Sequence, residues 1–151
     1  MTEEIENPEK NKNPKKKTSG VRIFPVPIDL DKINKNITVA TNAPSNSSKE
    51  EIINQAKELL LKGKLVEAGK YYQYFLDQGF NDYRVFCNYG TIYQKLGDPK
   101  KARELYNRSI KIKPDFADAH NNLGIILLSL GKLNEAELSL QKAIELKPDS
   151  A

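Results

Sequence analysis

Residues 117–150 read ADAHNNLGIILLSLGKLNEAELSLQKAIELKPDS, and the 34 residues before them, 83–116, read YRVFCNYGTIYQKLGDPKKARELYNRSIKIKPDF. Laid one over the other, they share Gly97 with Gly131, Ala102 with Ala136, and Pro114 with Pro148. One period further back stand Gly63 and Ala68, so residues 49–82 are a third, looser copy. A fixed period of this size signals supersecondary units that bury their apolar faces on one another. Inside each copy the apolar spacing is helical, as with Phe86, Tyr89 and Tyr93 at i, i+3 and i+7. The glycine then stops a first helix, because it tolerates the left-handed conformation at a C-terminal cap. Pro114 and Pro148 lack the donor that would let a second helix continue. Six helices are expected, at about 49–62, 65–78, 83–96, 99–112, 117–130 and 133–146. At about 14 residues each helix is marginal alone, so stability must come from stacking.

The slots of this period resemble the tetratricopeptide repeat (TPR) family. The third unit carries His120, Leu123, Gly124, Leu127, Ala136, Leu140, Ala143 and Pro148; the second carries Phe86, Tyr89, Gly90, Tyr93, Ala102, Tyr106, Ser109 and Pro114. The first has Ile52, Gln55, Ala56, Leu59, Ala68, Tyr72, Phe75 and Phe80, the kind of departure expected of a terminal repeat. The resemblance covers residues 49–151 and implies an all-α fold: a right-handed superhelical solenoid of three repeats, 49–82, 83–116 and 117–150. Gly90 with Ala102, and Gly124 with Ala136, are expected to face one another and bring paired helices close. In such arrays the first helices line a concave groove. Position 6 of each unit, which faces it, is Asn54, Asn88 and Asn122. An amide offers a donor and an acceptor together, so it can pair with the backbone of an extended peptide without reading its side chains. Helices about 8–10 Å apart match about three residues of a strand rising roughly 3.3 Å each. The same asparagines can instead bond within or between helices, and both readings stand at this point.

The ladder, and the stretch Pro114 to Gly124, resemble the TPR arm of O-linked N-acetylglucosaminyl transferases. That resemblance implies an acidic position 2, met by Asp118 and by Glu50 but not by Arg84. The chaperone carboxylate clamp of other TPR proteins needs Lys and Arg beside Asn. Here Ile53 and Lys57, Asp118 and Asn122 stand at its slots, and only Asn88 fits. The candidate groove residues are therefore Asn54, Asn88, Asn122, Glu50, Arg84, Asp118 and Lys57, with no catalytic or metal-binding residue and no cofactor among them. His120 fills an aromatic slot and is expected to pack. Cys87 is expected to be an unreactive, partly buried thiol, and Tyr72 is expected to be core, with Tyr71 and Tyr74 more peripheral.

Residues 1–48 differ in kind. They hold five of the eight prolines and the run Lys15 to Lys17, and they bury too little apolar surface to offset backbone ordering of roughly 1–2 kcal/mol per residue. A largely disordered tail and linker is expected, with Val21 to Leu30, centred on Phe24-Pro25-Val26-Pro27, as an extended segment able to dock. The chain has 24 Lys and Arg against 20 Asp and Glu. The tail and the array each sum to +2, which argues against a polyanion-binding protein. No apolar run approaches the roughly 20 residues of a membrane span. Met1 to Lys10 carry four glutamates and no leader-like apolar stretch, so a cytoplasmic location is expected. One Cys and one His do not build a self-contained catalytic site. The reading is thus a protein-interaction module that binds an extended peptide in its groove. The alternative is the substrate-recruiting arm of a glycosyltransferase or sulfotransferase whose catalytic domain lies elsewhere. Without a polar capping helix after the sixth, Leu140, Ile144 and Leu133 are expected on a face that a further repeat, a partner or a second copy covers.

Overall fold

The computed structural model describes residues 48–147. The expected tail, the Val21 to Leu30 segment, the linker up to Ser47 and Pro148 lie outside the described residues. The order is α1 Lys49–Leu61, α2 Leu65–Asp77, α3 Tyr83–Lys95, α4 Pro99–Ile112, α5 Ala117–Ser129 and α6 Leu133–Leu146. Each lies within a residue or so of its expected bounds.

Local chemistry sets where the helices begin. Before α1 the Ser48 hydroxyl accepts from the Glu51 N–H at 3.3 Å, while the Ser48 N–H donates to Glu51 Oε2 at 2.8 Å, a reciprocal capping box. Asp82 caps α3 through the Arg84 N–H at 2.8 Å, and Asp98 caps α4 through the Lys101 N–H at 3.0 Å, just ahead of Pro99. The first helix of every unit ends in the same way. Gly63, Gly97 and Gly131 adopt φ of 74°, 82° and 73°. Their N–H groups donate to Leu60, Gln94 and Leu128, and the N–H groups of Lys64, Asp98 and Lys132 reach back to Leu59, Tyr93 and Leu127. This crossed pair satisfies carbonyls that the helix end leaves orphaned, and it turns the chain toward the second helix. The first unit closes its second helix differently. Phe80 stands in the proline slot, Gly79 at φ 76° makes the turn, and Phe80 packs edge-on against Phe75 at 5.2 Å.

Within a unit the two helices pack tightly, and the contact is more specific than small residue on small residue. A Cβ added at Gly90 would lie 2.8 Å from the Tyr106 ring, and one at Gly124 would lie 2.6 Å from Leu140 Cγ. The glycines therefore make room for the large side chain at position 24, and the Ala136 backbone oxygen is a further neighbour at 3.3 Å. This corrects two expectations. Gly90 does not face Ala102 so much as Tyr106, and Leu140 is half-buried inside its own unit, not presented to a following one. Ile144 does match its expectation. It is 59% exposed, whereas its counterparts Leu76 and Ile110 are half-buried beneath the next unit. Leu133 and Leu138 on the same helix are also exposed.

Between units, α4 packs on α5, α2 touches α3, and the first helices α1, α3 and α5 each touch the next. The second helices α2, α4 and α6 do not approach one another. A stack that is closer along one row of helices than along the other must curve toward the closer row. Hence α1, α3 and α5 line the inner side and α2, α4 and α6 the outer.

The centre of the core contains two equivalent tyrosines with unequal bonding. The Tyr106 hydroxyl donates to Gln94 Oε1 at 2.7 Å and lies 3.3 Å from the Thr91 hydroxyl. The same slots in the first unit are Leu60 and Lys57, and the fully buried Tyr72 hydroxyl has no hydrogen-bond partner. Burial pushes both phenols from 10.0 up to about 12, tempered by the Asn88 amide at Tyr72 and by Thr91 at Tyr106.

Three outcomes follow in urea titrations followed by circular dichroism. Gly124→Ala lowers stability by about 1–2 kcal/mol, because overpacking of Leu140 outweighs the roughly 1 kcal/mol gain in helix propensity. Tyr106→Phe costs about 1 kcal/mol through its lost bonds, whereas Tyr72→Phe is neutral or stabilising. Above pH 10 the unfolded chain loses phenolic protons that the native state keeps to about 12, so stability falls as pH rises through this window, and less steeply in Tyr72→Phe.

Candidate functional site

The first helices bring position 6 of each unit onto the inner side, one asparagine per unit. Asn54 is exposed, while Asn88 and Asn122 are half-buried. Their surroundings differ because each sits against the unit before it. The Asn122 Nδ2–H donates to Cys87 Sγ at 3.7 Å across the α3–α5 junction. Asn88 lies near the buried Tyr72 hydroxyl. Asn54 has no preceding unit among the described residues. Even so, none of the three side-chain amide oxygens accepts a hydrogen bond among the described residues. Each amide thus retains its acceptor, and the interhelical reading accounts for one N–H of Asn122 and for the approach of the Asn88 amide to Tyr72.

Cys87 forms part of the same floor. It is 4% exposed, and burial pushes its thiol up to about 11, with the Asn122 amide opposing the shift and Asp118 adding to it. A thiol held so far above neutral pH is protonated and unreactive, as expected of a packed Cys. His120 also has a structural role. Its Nε2–H donates to the Pro114 carbonyl oxygen at 2.8 Å, tying α5 to the turn before it. Tyr71 and Tyr74 are half-buried at the edge of the core.

Position 2 carries charge, and the structure places those charges against one another. Arg84 grips Glu50 with two nitrogens, Nη1 to Oε2 at 3.1 Å and Nη2 to Oε1 at 2.7 Å. Its Nε and Nη2 also bond the two oxygens of Asp82, at 3.0 and 2.7 Å. The Arg84 guanidinium holds the Glu50 carboxyl below the usual carboxylate range and, against the effect of burial, holds Asp82 down as well. Arg84 is therefore a bridge from α3 to α1, and its departure from an acidic pattern has a structural cause. The sequence signal was available, since Glu50 and Arg84 are opposite charges one period apart. Asp118 pairs with Lys147 at 2.7 Å, beyond the end of α6. Of the candidate groove residues, Glu50, Arg84 and Asp118 are engaged in pairs, while Lys57 is exposed and makes no ion pair among the described residues.

Around the asparagine line the surface is mixed. Position 9 supplies Lys57, Thr91 and the exposed Ile125; position 13 supplies the exposed Leu61, Lys95 and Ser129. The Thr91 hydroxyl turns back to the Cys87 carbonyl oxygen at 3.2 Å. Among the described residues no group of three His, Cys, Asp or Glu side chains is placed to hold a metal ion, and no helix is long and apolar enough to cross a membrane. What this surface offers a ligand is amides, a few apolar side chains and two cations uncommitted among the described residues, Lys57 and Lys95.

Comparison with known proteins agrees with this architecture. Residues 90–130 match a TPR repeat model, and residues 117–150 match a tetratricopeptide repeat model. The human DnaJ homolog subfamily C member 3 is 29% identical over 103 residues, which cover 68% of this chain and 20% of that protein. The chain thus aligns with about a fifth of the length of that relative. Among solved structures, the Yersinia enterocolitica type III secretion chaperone SycD, in complex with a peptide of the translocator YopD, superposes with a TM-score of 0.63. It is 26% identical, over 69% of this chain and 81% of that one. A Thermobaculum terrenum O-GlcNAc transferase superposes with a TM-score of 0.65 at 24% identity, over 68% of this chain and 20% of that one. With three helix pairs closed by the same glycine turn and stacked with a curved inner side, and with both model matches falling within residues 90–150, the chain carries tetratricopeptide repeats.

Proposed function

We propose that the array binds an extended segment of another protein along its inner side, with Asn54, Asn88 and Asn122 pairing with the segment's backbone. The observation that carries this reading is the set of three equivalent amides whose oxygens are uncommitted, one on each inner helix. Helices about 8–10 Å apart advance by about three residues of an extended chain, so three units hold about nine. Leu61, Ile125 and Lys57 add side-chain contacts at the edges. SycD, similar in fold, is in complex with a peptide of the translocator YopD, which supports a peptide ligand here. Hydrogen bonds worth roughly 0.5–1.5 kcal/mol net each limit the affinity to about micromolar. The array acts by binding rather than by chemistry. The recruiting arm of a transferase is not favoured, because likeness to the O-GlcNAc transferase at 24% identity speaks to fold alone.

The exposed end of the array gives a second contact. Leu133 and Ile144, eleven residues apart and on one side of α6, are exposed apolar side chains that suit a second copy of the chain.

Two experiments test these readings. An unbiased peptide array is probed with the full chain and with Asn54→Ala, Asn88→Ala, Asn122→Ala, its helicity checked as unchanged. Peptides are expected to bind the parent and lose at least about tenfold in affinity for the variant, roughly 1.4 kcal/mol; equal binding contradicts the ladder. Light scattering is expected to give a mass above 17.1 kDa that Leu133→Asp with Ile144→Asp returns to the monomer value. A monomeric parent contradicts self-association.

A further inference from the structure

The array's net charge of +2 is unevenly spread, and one helix carries more than all of it. The outer helix α4 carries Lys100, Lys101, Arg103, Arg108 and Lys111 against Glu104, a net of +4, equal to that of the whole protein. The other outer helices have the opposite sign. Helix α2 has Glu67 and Asp77 against Lys70, and α6 has Glu135, Glu137 and Glu145 against Lys142. The core does not require these cations. The apolar face of α4 is supplied by Ala102, Leu105, Tyr106 and Ser109, all buried. Lys100, Arg108 and Lys111 are exposed, Arg103 is half-buried, and among the described residues none of the four makes an ion pair. Arg108 lies over the Phe86 ring, 5.3 Å from its centroid, which fixes its stem while leaving the guanidinium edge open.

The positions also form a line. Lys100, Arg103, Asn107 and Lys111 follow one another at i, i+3, i+7 and i+11, with Arg108 alongside. Over that span α4 rises about 16 Å, and neighbours three or four apart lie about 5–6 Å from each other. Holding several like charges in a row works against stability through their mutual repulsion. A partner of opposite sign relieves that repulsion.

We infer that the outer face of α4 is a second interaction surface, distinct from the inner groove, that docks an acidic segment of another protein. The shape of the charge favours a polypeptide over the other polyanions. The positive stripe is one helix wide, is interrupted by Glu104, and is the only positive one of three outer helices, the other two being net negative. A nucleic-acid duplex or a lipid surface is far wider than one helix and would meet those carboxylates as well. A single chain with carboxylates every second residue, about 6–7 Å apart, matches the stripe. The surface bears no exposed aromatic side chain on α4 on which a base would stack.

The test uses fluorescence anisotropy on the full chain carrying Glu3→Gln, Glu4→Gln, Glu6→Gln and Glu9→Gln, so that its own acidic segment does not compete. The probes are a labelled peptide of alternating Glu and Ser, a labelled ten-nucleotide oligothymidine, and vesicles with about one third phosphatidylserine. The peptide is expected to bind at low salt and to weaken as salt rises. Measured in the Asn54→Ala, Asn88→Ala, Asn122→Ala background, so that the inner groove does not hold the probe as well, Lys100→Glu, Arg103→Glu and Lys111→Glu together are expected to cost at least about tenfold. The inner-groove reading and this one therefore fail independently. The inference is overturned if the reversed-charge protein, with unchanged helicity, binds the peptide equally. It is also overturned if the peptide does not bind, or if the oligonucleotide or the vesicles bind more tightly than the peptide.

Discussion

The contact on which this molecule depends is the close approach of two helices inside one unit, where a missing side chain on the first admits a large one from the second. Gly124 accepts Leu140 and Gly90 accepts Tyr106, each with less space than a methyl group needs. The pairing works only if the chain reverses at the right distance. The positive-φ glycine seven residues later provides this, because its crossed hydrogen bonds end the helix at a fixed point. The glycine turn recurs every 34 residues, and the missing side chain recurs in the second and third units, where the first has Ala56, so the units present similar faces to one another. No helix of 13 or 14 residues is expected to persist alone in water, and the stacked faces supply what each lacks.

Curvature converts that repetition into a surface. The first helices touch one another along the stack and the second helices do not, so one row of side chains faces inward at nearly regular intervals. Position 6 of that row is an amide in every unit, and position 2 carries charges that close on partners within the chain. The pairing of Arg84 with Glu50 and Asp82 ties α1 to α3 and leaves one net negative charge there. Under the proposed reading, the amides supply the backbone contacts to a ligand, with Leu61, Ile125 and Lys57 at the edges. The strong charge lies on the outer side, on α4, away from that groove.

Much of this was legible in the sequence because period, glycine and proline act locally. A glycine at a fixed offset from an apolar i, i+3, i+7 set specifies a helix end whatever else the chain does, and six helices appear within a residue or so of their expected bounds. The features that were not legible depend on how units rotate against each other. Arg84 looked like a departure from a pattern until its guanidinium was seen against Glu50, although their opposite charges one period apart contained the clue. Leu140 was expected on an open face, yet it fills the space above Gly124, because position 24 points into its own unit. Tyr72 and Tyr106 look alike in sequence, and they differ only because Gln94 and Thr91 have no polar counterpart at Leu60 and Lys57 able to reach the Tyr72 hydroxyl. The asparagine amides recur at position 6 of every unit. Their unequal exposure reflects what each preceding unit places beside them, such as Cys87 beside Asn122.

The central claim is that the repeated amides of the inner side are where a peptide is held. The most direct measurement is a nuclear magnetic resonance titration of the isotopically labelled full chain, following the side-chain NH2 signals of Asn54, Asn88 and Asn122 as the tightest peptide from the array is added. The account predicts that these three signals shift together and saturate at one peptide per chain, while the side-chain signals of Asn107 and Asn134 on the outer helices stay in place. Saturating binding that moves the outer asparagines and leaves the inner three unchanged would contradict it.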